Sequence, residues 1–209
     1  MRSGLRTPRS LVQRGGVGLT HPAANVVGQQ IGWFACVLGA AHSHPFWGAG
    51  VALVIVGLHL QSVPDRPREF RLLALAAVLG LVVESGLQAL GLLTYASPWR
   101  QVPWLCPPWI AVLWIQLGST LRYGLRWLQG RPVLSAVAGA IGGPLAFRAG
   151  EALGAVRFAP DRRLSYLALA VVWGACFPIL TGAAATRPEP PRAGAPPGVI
   201  GGAASEGTS

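Results

Sequence analysis

The chain has 209 residues, of which 11% are charged and 52% hydrophobic, with a mean hydropathy of +0.47. Soluble domains carry about 25% charged residues, so this composition excludes an ordinary water-soluble domain and marks a membrane protein. The net charge of +10 comes from 17 cationic side chains, all arginine; they lie between apolar runs, which makes them topology signals and not a nucleic-acid footprint.

The first 22 residues form a basic tail without acids, and no apolar core or small-residue cleavage site of a secretory signal follows directly. A later codon such as that of Val17 is an alternative start. Apolar stretches then follow one another. A hydrocarbon core of roughly 30 Å needs about 20 helical residues, with 17 to 25 as the working range. Six spans are predicted: Ala23 to Ala41, Pro45 to Val63, Leu72 to Leu93, Pro108 to Leu128, Pro132 to Val156 and Leu164 to Leu180. The turn His42-Ser43-His44 makes the first two an antiparallel hairpin, and SPWRQVPWLCPPW between the third and fourth suits an interfacial loop, because aromatic rings with polar edges settle at that depth. The expected fold is therefore all-α, a polytopic bundle of six transmembrane helices over residues 23–182. The remainder, 183–209, is rich in Pro, Gly, Ala and Ser and reads as disordered.

Arginine placement sets the orientation. With the N-terminus in the cytoplasm, that side holds Arg2, Arg6, Arg9, Arg14, Arg66, Arg68, Arg71, Arg122, Arg126, Arg131, Arg187 and Arg192. The other side holds Arg100, Arg148, Arg157, Arg162 and Arg163. The positive-inside rule then puts both termini in the cytoplasm of a multi-pass cytoplasmic-membrane protein.

Function hinges on Glu84, an acid inside the apolar run LGLVVESGLQALGLL. A charged side chain at the centre of a spanning helix costs roughly 2.5–3.5 kcal/mol on insertion scales, so such residues face the bundle interior. Helical spacing places Gln88 on the same face, and neighbouring spans offer Gln29 and Gln116, with Arg148 as a counter-charge; these five form the candidate intramembrane polar cluster. Ala138, Gly142, Ala146, Gly150 and Gly154 recur every four residues and form a candidate helix-packing strip. Cys36, Cys106 and Cys176 imply no disulfide framework. His42, His44 and His59 lack the carboxylate or cysteine partners of a metal site. No nucleophile elbow, phosphate-binding loop or zinc-protease motif is present, so no cofactor and no catalytic residue is assigned.

NVVGQQIGWFACVLGAAHSHPFWG, GLLTYASP, PPWIAVLWIQLGSTL and GAIGGPLAFRAGEALGA together resemble a family of bacterial integral membrane proteins known as domain of unknown function 2878. The resemblance covers Asn25 to Leu180, with GWFACVLGAA and GGPLAFRAGxxLGA as its most specific parts. It implies a bacterial inner-membrane protein, an acid (often aspartate) at the position of Glu84, and a start just before Asn25. It also implies an encoded neighbourhood of enzymes that modify membrane fatty acids. The reading that follows is a non-enzymatic accessory or scaffold protein linked to membrane lipid or fatty-acid modification. Its partners are the lipid bilayer, other membrane proteins or lipid-modifying enzymes, with self-association through small-residue faces and no nucleic acid. Two alternatives stand beside it: a small proton- or ion-coupled transporter with Glu84 in a polar cavity, and an intramembrane enzyme.

Overall fold

The computed structural model describes residues 18–96 and 102–185. The expected basic tail before residue 18, the expected C-terminal tail after residue 185 and Arg100 lie outside the described residues. Six helices run alternately up and down: α1 (Pro22–Ala41), α2 (Pro45–Ser62), α3 (Arg66–Ala89), α4 (Pro108–Gly118), α5 (Pro132–Ala152) and α6 (Arg162–Ala184). Proline opens the first five at the first or second position, where its missing N–H would have no helical partner anyway. Aspartates cap α3 and α6. The Asp65 carboxylate accepts from the Arg68 N–H at 3.0 Å, and that of Asp161 accepts from Arg163 and Leu164 at 3.1 and 3.3 Å.

The molecule is mostly helical, and four helices are long and apolar enough to cross a membrane: α2, α3, α5 and α6. Phe34, Val54, Val82, Leu145, Leu167 and Val171 stand exposed on its flanks. A water-soluble monomer rarely shows contiguous apolar surface beyond a few hundred Å², so this exterior belongs in lipid. α1 has the length, at 20 residues, but carries Asn25, Gln29 and Gln30.

The fourth segment departs from the expected span over Pro108 to Leu128. Helix α4 stops after 11 residues, which is about 16 Å, and the chain continues through turns and a short 3-10 helix, Arg126–Leu128. Hydroxyls help to stop it: Ser119 and Thr120 donate to the carbonyls of Gln116 and Leu117, both at 2.7 Å. Buried backbone groups outside a helix need partners from elsewhere in the protein. Asn25 of α1 is one such partner, donating to the Ser119 carbonyl and accepting from the Gly124 N–H, each at 3.1 Å, while Gln129 donates to the Leu121 carbonyl at 2.8 Å.

A second departure is a two-stranded antiparallel ribbon, β1 (Leu93–Tyr95) with β2 (Val156–Phe158), where an all-α fold was expected. Helices α3 and α5 end alike: Gly91 and Gly154 take φ of +69° and +87°, and the N–H groups of Leu92 and Ala155 return to the carbonyls of Leu87 and Gly150. The strands follow at once. The two stretches read QALGLLTYA (88–96) and EALGAVRFA (151–159). Their pairing, Leu93 with Phe158, Thr94 with Arg157 and Tyr95 with Val156, is that of a local two-fold. The likeness extends into the helices, since a Cβ on Gly80 would strike the indole of Trp114 and one on Gly143 that of Trp173. The α3–α4 and α5–α6 hairpins are thus two versions of one unit, meeting where the rings of Trp114 and Trp173 lie 4.7 Å apart between centroids, tilted by 39°.

Candidate functional site

Glu84 is fully buried, but it lies five residues before the end of α3, toward the ribbon, not at mid-span. The Tyr95 hydroxyl donates to its Oε2 at 2.6 Å, and the Trp114 indole N–H donates to its Oε1 at 3.1 Å. The Trp173 indole also faces this carboxyl group but falls outside hydrogen-bond geometry, leaving its N–H without a partner. Burial, reinforced by Glu84, holds the Tyr95 hydroxyl well above the ordinary phenol range, so it remains a donor. Phe147 and Phe158 stand where the second unit would place its counterparts of Glu84 and Tyr95, so the polar pair exists in one unit only.

The other four members of the expected cluster are spread along the bundle. Gln88 donates to the Pro103 and Leu105 carbonyls of the loop above it. Gln116 donates to the Gly28 carbonyl of α1 at 3.0 Å, and Gly32 is required beside it because a Cβ there would fall on the amide. Gln29 has a buried Oε1 without a partner. Arg148 is exposed on α5, and Glu151, three residues on, pairs instead with Arg162 at 3.0 Å. No two of the five share a hydrogen bond among the described residues. The reason for Gln116 is rotation: Trp114 turns toward Glu84, while Gln116, two residues on, faces the opposite side of α4 and meets Gly28 of α1.

The small-residue strip is also displaced. Gly142 has open space where a Cβ would go, and Gly154 is exposed after the helix. Close contact with α6 runs instead through Ser135, Gly139 and Gly143. A Cβ on Gly139 would meet the Trp173 carbonyl, and Ser135 accepts from the Thr181 hydroxyl at 3.0 Å. Of the expected strip, Gly142, Ala146 and Gly150 line a cavity.

That cavity, about 550 Å³, is a groove between α1 and α5, floored by α4 and α6. Its volume lies within the roughly 300–1,000 Å³ of small-molecule sites. Trp33, Trp109, Trp114, Phe147, Trp173 and Phe177 supply aromatic walls, Gln29 and Gln30 of α1 are its polar members, no charged residue lines it, and Glu84 lies behind the Trp114 floor and not in the groove.

A second buried acid was not anticipated. Glu69 is 1% exposed near the start of α3, where His59 Nε2 lies 2.9 Å from its Oε1 and Arg122 Nη1 3.3 Å from its Oε2. Burial lowers the Arg122 guanidinium from its usual value, while Glu69 opposes the shift. The sequence signal was the pair of Glu69 on the apolar-facing side of α3 with His59 ending α2 just across a tight turn. Among the described residues no three metal-ligating groups converge, and Cys106 is a buried thiol whose pKa burial raises.

The family model described as "Protein of unknown function (DUF2878)" matches residues 22–179. No curated protein and no solved structure matches the chain.

Proposed function

The chain belongs to the DUF2878 family, and from that premise we propose that it is a non-enzymatic accessory protein of a bacterial inner membrane that holds one acyl chain of a membrane lipid in the groove between α1 and α5. The observation that carries this reading is the groove itself. Its walls are mostly apolar and aromatic, with Gln29 and Gln30 on one side, and it lies on a flank where apolar side chains, Phe34 and Leu145 among them, are exposed. Glu84 has a positioning part in it. By accepting from the Trp114 N–H, it turns the polar edge of that indole away from the groove and leaves ring carbon toward the lipid. Such a protein presents a lipid tail to a lipid-modifying enzyme without doing chemistry of its own.

The test fills the groove. Gly142 lines it and has nothing within 4 Å of a Cβ, so Gly142→Trp blocks the space while leaving the helix contacts alone. Lipid retained through detergent purification and counted by mass spectrometry should fall several-fold, with folded yield unchanged. Equal retention in the variant would sink the proposal, as would an unchanged fatty-acid profile in a deletion strain.

A further inference from the structure

Opposite the ribbon, the bundle ends in a second cavity of about 520 Å³, lined by Asp65, Arg68, Glu69, Arg122, Tyr123 and Arg126 among others. Its two acids are already engaged. Glu69 is held by Arg122 and His59, and Asp65 caps α3 through the Arg68 N–H. The cations are not balanced in the same way. Arg68 donates to the Ala185 carbonyl at 2.8 Å and forms no ion pair among the described residues, and neither does Arg126, which is exposed. Arg122 spends one nitrogen on Glu69, has a long 3.5 Å contact from Nη2 to the Arg68 carbonyl, and keeps an Nε without any partner.

The depth of this cavity is marked by its surroundings. Trp127 is 53% exposed beside Arg126, as indoles at a membrane interface are, and Arg66, Arg71 and Arg131 ring the same end of the bundle. Basic pockets between helices at headgroup level bind anionic lipid heads, and a guanidinium fork matches phosphate oxygens in pairs.

We propose that this cavity binds a phosphate group, that of an anionic phospholipid headgroup, with Arg126 and Arg68 as its ligands and Arg122 as the anchor between them and Glu69. The site is separate from the groove between α1 and α5, so the two assignments fail independently. Glu69 then serves to hold Arg122 in place, and the excess guanidinium groups meet the lipid.

The experiment uses the full chain in detergent and measures, by native mass spectrometry and thermal shift, the binding of phosphatidylglycerol, phosphatidylcholine and inorganic phosphate. The wild type should prefer phosphatidylglycerol. Arg126→Gln should weaken that binding roughly five-fold, and Arg68→Gln with Arg126→Gln roughly 25-fold, from about 1 kcal/mol per arginine at the surface. Arg163→Gln, at the other end, should change nothing. Arg126 is exposed, so its variant folds even if the double variant does not. Protection by inorganic phosphate equal to that by the lipid overturns the headgroup assignment. Equal binding of both lipids, or affinity unchanged in Arg126→Gln, overturns the site.

Discussion

Replacing Glu84 by alanine removes the one acceptor group that two buried donors share. Tyr95 Oη and Trp114 Nε1 reach it at 2.6 and 3.1 Å, and all three side chains are at most 4% exposed. Each donor left without a partner costs about 1–3 kcal/mol, so Glu84→Ala should lose roughly 2–6 kcal/mol before any cavity is counted. Glu84→Gln behaves differently. Its amide oxygen can accept from Trp114, and the Tyr95 hydroxyl can rotate to accept from the amide nitrogen, so both partners stay satisfied and the loss should stay within about 1 kcal/mol. Tyr95→Phe should fall between the two. Unfolding in detergent, followed by tryptophan fluorescence against temperature or denaturing detergent, ranks the three variants. Glu84→Ala as stable as the wild type, or Glu84→Gln as damaging as Glu84→Ala, would refute a structural role for this carboxyl group.

Adjacent glycines in α5 should separate cleanly: Gly143→Ala drives a Cβ into the Trp173 ring and should cost about 1–3 kcal/mol. Gly142→Ala meets nothing and should be neutral or stabilising by up to about 1 kcal/mol; thermal unfolding of both reads the difference. Arg122→Gln leaves Glu69 buried without its guanidinium partner and should cost about 3 kcal/mol, the low end for a broken buried pair, because Arg122 keeps 15% exposure; a fully stable variant contradicts the pairing. Cys36, Cys106 and Cys176 are all buried and free, and burial raises the Cys106 pKa. A small maleimide at neutral pH should therefore label the folded protein far more slowly than the denatured one, and rapid labelling of Cys106 would place that loop differently.

Helix starts were legible because their signals are local. Pro22, Pro45, Pro108 and Pro132 sit at or next to the predicted starts of four spans, and the tight turn at His42 to His44 marked the first hairpin. The end of α4 was not legible. The run from Pro108 has no helix breaker before Gly118 and its polar residues alone do not end a helix; Asn25, distant in sequence but adjacent in space, satisfies the unwound segment by bonding to Ser119 and Gly124. The repeat linking QALGLLTYA to EALGAVRFA stood in the sequence, yet only a pairing of strands gave such a short match a meaning.

By itself the sequence determined a helical membrane protein, the order of its helices and the burial of Glu84, since hydropathy and helical period are properties of neighbouring residues. Tertiary structure decided whom each polar side chain meets. Two residues along α4 turn Trp114 toward Glu84 and Gln116 toward α1, while packing of α2, α3 and the turn after α4 brings Glu69 to His59 and Arg122. A rotation of one residue around α5 likewise turns Gly143 onto Trp173 and Gly142 into open space. Depth and rotation come from how whole helices pack, and no short window of sequence encodes either.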